Sequence, residues 1–127
     1  MGNIYVELIS DFKSTNGVLL ALDKEGLRIF RSAMAIVTKL PGAGESSVIY
    51  NKCAHRFIVG GDRTVILVEP DSVTWYLPKL KADEILAALD ALEEASHPCH
   101  DYIDIDSPPD TLLISKDEYV GHVADSL

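Results

Sequence analysis

Two segments of the chain join an apolar strand directly to an amphipathic helix, and this arrangement limits the folds available. The sequence VLLALDKEGLRIFRSAMAI (18–36) runs from an apolar stretch into a helical pattern. The sequence VTWYLPKLKADEILAALDAL (73–92) repeats the same arrangement. A strand that leads straight into a helix is typical of domains that pack helices on a sheet. Both segments therefore predict a mixed α and β architecture.

The spacing of apolar residues predicts two helices. The first is predicted over 24–40, with Asp23 as its N-cap and Pro41-Gly42 as its end. The second is predicted over 81–96 and ends before Pro98. The residues predicted to face the core are Leu27, Phe30, Met34 and Val37 in the first helix and Ile85, Leu86, Leu89 and Leu92 in the second.

Short apolar or alternating segments predict the strands, with loops at 11–17 and 41–47. Gly60-Gly61-Asp62 resembles a hairpin turn between two of these strands. The fold class expected is α/β in the α+β sense, a mostly antiparallel sheet with two helices on one face, in a single domain over 1–127. The predicted strands are 4–9, 18–22, 47–51, 56–60, 64–69, 72–77, 102–105 and 111–115.

The order of elements predicts an internal duplication. After each helix comes a Cys/His pair with a strand, CAHRFIV (53–59) in the first half and CHDYIDI (99–105) in the second. Each half then ends in an apolar strand, TVILVE or TLLIS. The alternative is that a strand–helix–strand order recurs by chance, as it does in many small domains.

Negative charge is concentrated in the last third of the chain. The net charge of the 127 residues is −9. Residues 82–127 contain twelve acidic residues and one basic residue, whereas residues 1–81 contain eight acidic and ten basic residues. Binding to nucleic acid through its phosphates is disfavoured, because that needs a basic surface. A basic protein partner is favoured by this charge, although acidic surfaces also serve solubility.

Metal binding and catalysis are the alternatives to a binding surface. Possible zinc ligands occur in two clusters, but their spacings are not those of a zinc finger. Asp104 and Asp106, two residues apart on a predicted strand, could share a divalent cation or act as acid and base. We find no nucleophile elbow, phosphate loop or HExxH motif beside them, and we predict no cofactor and no enzyme activity. The possible zinc ligands are Cys53, His55, His97, Cys99 and His100.

The stretch HPCHDYIDIDSPPD (97–110) predicts an acidic, partner-binding surface. On a strand, Tyr102, Asp104 and Asp106 face one side, while Ile103 and Ile105 face the other. Tyrosine is an effective interface anchor, and carboxylates accept bidentate hydrogen bonds from arginine. The predicted partner-binding residues are Glu93, Glu94, Asp101, Tyr102, Asp104, Asp106, Asp110, Asp117 and Glu118.

The two glutamates of this set occupy an unfavourable position in the second helix. Glu93 and Glu94 lie in its predicted last turn, where a carboxylate opposes the helix dipole. A binding role is one reason for keeping them there.

The strand–helix unit LLALDKEGLRIFRSAMAIV and the tail DTLLISKDEYV resemble those of small acidic immunity proteins of bacterial polymorphic toxin systems. Contact-dependent growth inhibition systems are one branch of these. The resemblance implies a non-enzymatic antitoxin that binds a cognate, basic, nuclease-type toxin domain and blocks its active site. It assigns no individual residue a role.

Two other functions fit the same residues. One is a phage-encoded inhibitor that mimics nucleic acid and binds a host defence nuclease. The other is a small metal-dependent enzyme that uses Asp104 and Asp106. Two cysteines, no secretory signal in MGNIYVELIS and no long apolar run predict a cytoplasmic protein without a membrane span.

Overall fold

The structure, a computed structural model, describes residues 4–12, 15–39, 44–50, 52–105 and 111–117. Eight strands and two helices occur in these residues, which confirms the predicted α+β class. The elements in chain order are β1 (Ile4–Phe12), β2 (Thr15–Leu22), α1 (Lys24–Thr38), β3 (Gly44–Tyr50), β4 (Cys53–Val59), β5 (Val65–Val68), β6 (Ser72–Leu77), α2 (Lys79–Glu94), β7 (Cys99–Asp104) and β8 (Thr111–Lys116).

The strands form two four-stranded sheets. Sheet A has the order β1-β2-β8-β7, and sheet B has the order β3-β4-β6-β5. In each sheet the central pair is parallel and the two outer pairs are antiparallel, so antiparallel pairing predominates as predicted. Successive residues such as Leu19 and Leu20 of β2 are both buried. Strands covered on both faces explain the uninterrupted apolar sequences VLLAL and TLLIS.

The two halves of the chain share one topology. The order β1-β2-α1-β3-β4 is followed by β5-β6-α2-β7-β8, and each sheet takes two strands from each half. The buried positions of the helices coincide at a separation of 55 residues, so the predicted duplication is present in the fold. The equivalent core residues are Leu27 and Ala82, Phe30 and Ile85, Ala33 and Ala88, Met34 and Leu89, and Val37 and Leu92.

The strand registers give the remaining correspondences. Val48 of β3 pairs with His55 of β4, and Ile103 of β7 pairs with Leu112 of β8. Strand β3 therefore corresponds to β7, and β4 to β8. The correspondence drawn from the Cys/His pairs is wrong, because CAHRFIV is β4 and CHDYIDI belongs to β7. TVILVE contains β5, which opens the second half and is equivalent to β1, not to β8.

Several predicted boundaries also differ from the structure. Helix α1 ends at Thr38, before the predicted residue 40. Helix α2 begins at Lys79, before the predicted residue 81, and Pro78, whose ring restricts its φ angle, is the N-cap residue. The predicted loops 11–17 and 41–47 contribute residues to β1, β2 and β3. Gly60 and Gly61 make a turn with positive φ, but β5 pairs with β6 and not with β4, so no hairpin forms there.

Helices α1 and α2 pack against each other in opposite directions, as two ion pairs show. Arg31 pairs with Asp90, and Nε of Arg28 lies 2.9 Å from Oε2 of Glu93. The earlier arginine thus contacts the later carboxylate, which requires antiparallel axes. At the start of α1, Asp23 accepts a hydrogen bond from the N–H of Gly26 at 2.7 Å, which confirms the predicted N-cap.

Lysine side chains from other elements donate hydrogen bonds to backbone carbonyl groups at the C-terminal ends of both helices. Lys79 of α2 donates to the carbonyl of Thr38, and Lys116 of β8 donates to the carbonyl of Ala95. The last turn of each helix contains no basic residue of its own. Because the C-terminal carbonyls are partly negative, ammonium groups are favourable there. The helix ends are therefore stabilised only once the tertiary fold has formed.

The core of the first half contains a buried histidine among aromatic rings. His55 is 1% exposed, and neither of its ring nitrogens has a hydrogen-bond partner in the described ranges. Its ring lies 6.0 Å from that of Phe30, which also contacts Phe57 and Trp75 edge-on. Burial lowers the pKa of His55 to about 4, so the side chain is neutral near pH 7.

Replacing His55 with leucine, the residue at the equivalent position 112, is expected to reduce the pH dependence of stability. The unfolded chain binds a proton on His55 below about pH 6.5, whereas the folded chain binds one only near pH 4. The wild type therefore loses up to about 3 kcal/mol through this group as pH falls across that window. Denaturant unfolding of both proteins at about pH 7 and about pH 4.5 measures the difference. An equal change in both proteins would contradict the assignment.

Candidate functional site

The predicted partner-binding surface centres on β7, an edge strand of sheet A. Tyr102 and Asp104 are exposed, while Ile103 and Ile105 are buried in the core. Because successive side chains of a strand face opposite sides, the predicted separation of these two rows is confirmed. Asp106 lies outside the described residues.

The free edge of β7 is closed by two hydrogen bonds from the chain itself. The Asp101 carboxylate accepts a hydrogen bond from the backbone N–H of Tyr102 at 2.9 Å. The ammonium group of Lys81 donates to the carbonyl of Asp104 at 2.7 Å and to the carboxylate of Glu84 at 2.9 Å. A charged side chain over an edge hinders pairing with another strand. Strand β7 therefore presents exposed side chains at this edge, and pairing of its backbone with another strand is hindered.

Tyr102 is held in a defined orientation on this surface. Its ring packs edge-on against that of His100, with ring centroids 5.3 Å apart. Tyr102 nevertheless stays 40% exposed and lies on the same side of β7 as the exposed carboxylate of Asp104. A pre-oriented aromatic ring with a carboxylate on the same side of the strand suits contact with an arginine or lysine side chain.

The carboxylates of α2 are, in contrast, largely paired within the chain. Glu84, Asp90 and Glu93 pair with Lys81, Arg31 and Arg28. The ion pair with Arg28 gives a structural reason for the position of Glu93 that does not require a binding role. Glu94 is exposed and has no cationic partner among the described residues.

The remaining predicted residues are not gathered at one place. Asp117 follows β8 and has a left-handed backbone with φ of 63°. In the β7–β8 ladder, Asp104 pairs with Thr111 and Cys99 with Lys116, so Asp117 lies at the opposite end from Asp104. Asp110 and Glu118 lie outside the described residues. The structure thus brings together Asp101, Tyr102 and Asp104.

The possible metal ligands are divided between the two sheets. Cys53 and His55 lie on β4 of sheet B, whereas Cys99 and His100 lie on β7 of sheet A. Within the described ranges, no three His, Cys, Asp or Glu side chains are close enough to hold a metal ion. Both cysteines are free and half-buried, and burial, with a smaller effect of Asp71, raises the pKa of the Cys53 thiol.

Some residues that contact this site lie in distant parts of the sequence and carry no local signal of that role. The sequence indicates only that Lys81 lies at the start of a helix. Its hydrogen bond to the carbonyl of Asp104 joins residues that are 23 positions apart, so it depends on tertiary packing. The helix ion pairs had a usable signal, because Arg28 and Arg31 share a three-residue spacing with Asp90 and Glu93. Residues three apart lie on the same face of a helix, so two such pairs can face each other when the helices pack antiparallel.

Neutralising Glu93 or Glu94, the adjacent glutamates at the end of α2, is expected to change the free energy of unfolding by different amounts. Glu94→Gln should raise the free energy of unfolding by about 0.3 kcal/mol or more, because it removes a charge that opposes the helix dipole. Glu93→Gln should instead give little gain or a loss, because it also removes an ion pair of about 0.2–1 kcal/mol. Denaturant titration of both variants, with Arg28→Gln to complete a double-mutant cycle, measures the difference. Equal gains in both variants would contradict the Arg28–Glu93 pair.

Comparison with known proteins adds information about the fold. No family model matches the chain, and no curated protein matches it. The crystal structure of Drosophila Suppressor of Fused is similar in fold, with a TM-score of 0.51 and 11% sequence identity. The similarity covers 80% of this chain and 24% of that chain. None of the described helices is both long and apolar enough to cross a membrane. At this identity, the similarity concerns fold alone.

Proposed function

We propose that this chain is an immunity protein that binds a basic toxin domain through the outer side of β7 and blocks its active site. The observation that carries the proposal is the exposed group Asp101, Tyr102 and Asp104, here called the β7 face. Its two carboxylates have no cationic partner among the described residues. The protein acts by binding and catalyses no reaction.

The division of charge between the equivalent halves supports this proposal. Residues 4–59 contain five acidic and seven basic residues, whereas residues 65–117 contain twelve acidic and three basic residues. The two halves share a topology, so the fold itself does not require this difference. A concentrated negative field accelerates encounter with a basic partner and disfavours acidic ones.

The geometry of the β7 face suits side-chain recognition of arginine and lysine. The strand is rigidly paired with β8, and the bonds from Asp101 and Lys81 occupy its free edge. A nuclease-type toxin presents cationic side chains that normally bind the phosphates of its substrate. Carboxylates on a fixed strand would occupy those cations and exclude the substrate.

The cytoplasm is the proposed location of the protein. Cys53 and Cys99 are both free thiols, as expected in a reducing compartment. An inhibitor of this kind would there meet a toxin domain that has entered the cell.

Co-expression tests this function. The C-terminal domain encoded by the gene immediately upstream would be expressed alone and together with this chain, and cell survival would be scored. We expect toxicity that co-expression relieves. A toxic domain that this chain neither binds nor neutralises, or a harmless one, would contradict the proposal and favour the nucleic-acid-mimicking inhibitor.

Charge reversal tests the β7 face. The double variant Asp101→Lys and Asp104→Lys is expected to slow association with the toxin domain by about tenfold or more, measured by stopped-flow at low salt. Added salt should narrow this difference, because it screens exposed charges.

A matched control carries the same change in net charge elsewhere. Asp62→Lys with Asp71→Lys alters exposed residues beside β5, in the other sheet. This control should associate nearly as fast as the wild type. Equal slowing in both double variants would mean that net charge, and not the β7 face, controls binding.

A further inference from the structure

The equivalent edge strands β3 and β7 differ in how their free edges are treated. The edge of β7 is occupied by Asp101 and Lys81, as described above. No described residue makes comparable hydrogen bonds to the edge of β3, although β3 holds the same position in sheet B. This difference does not follow from the fold, because the two strands correspond residue by residue at a separation of 55.

The hydrogen bonds of β4 identify the backbone groups that β3 leaves open. The N–H groups of Ala54 and Gly60 donate toward the β6 side of β4, at 3.0 and 2.9 Å. Since these groups alternate along a strand, the odd-numbered residues of β4 bond to β3. Through the register, Glu45, Ser47 and Ile49 then direct their backbone groups to the free edge. None of these groups has a hydrogen-bond partner among the described residues.

Of the side chains of these three residues, the single charged one is in an ion pair, and one is apolar and exposed. The Glu45 carboxylate pairs with Arg56 at 2.7 Å, within the sheet. Ile49 is 74% exposed, and its outward row also contains Ser47. A long, open edge with an exposed aliphatic side chain readily pairs with another strand.

An open groove of about 430 Å³ lies beside this edge, between α1 and β3. Ile29, Ala33, Ile36 and Val48 supply its apolar lining, and Ile36 is 61% exposed. A strand added next to β3 would direct alternate side chains toward α1, because side chains alternate between the faces of a sheet. The groove provides space for those side chains.

We propose that β3 pairs antiparallel with β3 of a second copy of this chain, around a twofold axis at Ser47. In this register, Glu45 lies opposite Ile49 of the second copy, and Ser47 lies opposite itself. The outward backbone groups then exchange hydrogen bonds across the axis. The two four-stranded B sheets become one continuous sheet, and Ile36 of each copy is covered.

Charge favours a second copy at β3 over one at β7. Two β7 edges would bring the exposed carboxylates Asp101 and Asp104 of both copies onto one sheet, where like charges repel each other. At β3, the only acidic side chain is already paired and meets an isoleucine. The acidic half contributes two other edge strands, β5 and β7, so β3 belongs to the less acidic half. This inference does not depend on the proposed toxin-binding function.

Sedimentation velocity of the full chain, from micromolar to near-millimolar concentration, tests the dimer. The mass is expected to rise from 13.9 kDa toward twice that value. Ile49→Glu should keep it at the monomer mass, because it opposes two carboxylates across the axis. Ser47→Pro should do the same, because its N–H faces the free edge and the sheet loses no bond of its own.

Leu67→Glu is the matched control, since Leu67 is also exposed but lies on β5, the other edge of sheet B. It should dimerise like the wild type. Added salt should increase the dimer fraction, because it screens repulsion between two chains of net charge −9. A wild-type mass that stays at 13.9 kDa, or a dimer that a folded Ile49→Glu chain retains, would overturn the proposal. A dimer that dissociates when salt is added would contradict the proposal that the interface contains no unpaired charge.

Discussion

The parallel pairing at the centre of each sheet is the constraint on which the rest of this structure depends. Strand β2 of the first half pairs with β8 of the second, and β4 pairs with β6. Each half therefore supplies only two strands to either sheet, and a two-stranded unit is marginal on its own. Neither half can bury its apolar strands without the other. The antiparallel contact of α1 and α2 then joins the halves on the helix side.

The same division explains how the protein tolerates its uneven charge. The basic residues of α1 meet the acidic residues of α2, so two carboxylates of the acidic half are balanced by the other half. Lys79 and Lys116, two of the three basic residues of the acidic half, stabilise helix ends instead. Within the described part of the chain, the carboxylates of β7 have no such partners. Negative charge is thus neutralised where the halves meet and left exposed at one edge.

The two equivalent edges illustrate how one topology supports two kinds of surface. At β7, side chains are presented and the backbone is closed. At β3, the backbone groups are open and a groove follows α1. Equivalent positions hold Tyr102 and Ser47, or Asp104 and Ile49, so the residues differ while the strand geometry is kept. A charged surface suits fast, salt-sensitive association, and an open edge suits pairing between backbones.

The sequence by itself determined the features that depend on neighbouring residues. The cap at Asp23 depends on a hydrogen bond to a residue three positions away. The apolar stripes of both helices and the alternation around Ile103 follow from backbone periods of 3.6 and 2.0 residues. Most strands were predicted for the same reason. Their predicted bounds are too short where polar residues extend a strand beyond its apolar segment, as in β1 and β3.

Only the tertiary structure decided which distant segments meet. The Gly60-Gly61 turn permits a hairpin, but β5 pairs with β6, because the two sides of β4 are paired with β3 and β6. The ion pair of Arg28 with Glu93 spans 65 residues, and the closure of the β7 edge depends on Lys81. Such contacts require both halves to be folded together. Local sequence therefore specified the elements and their faces, whereas long-range packing selected their partners and separated paired carboxylates from exposed ones.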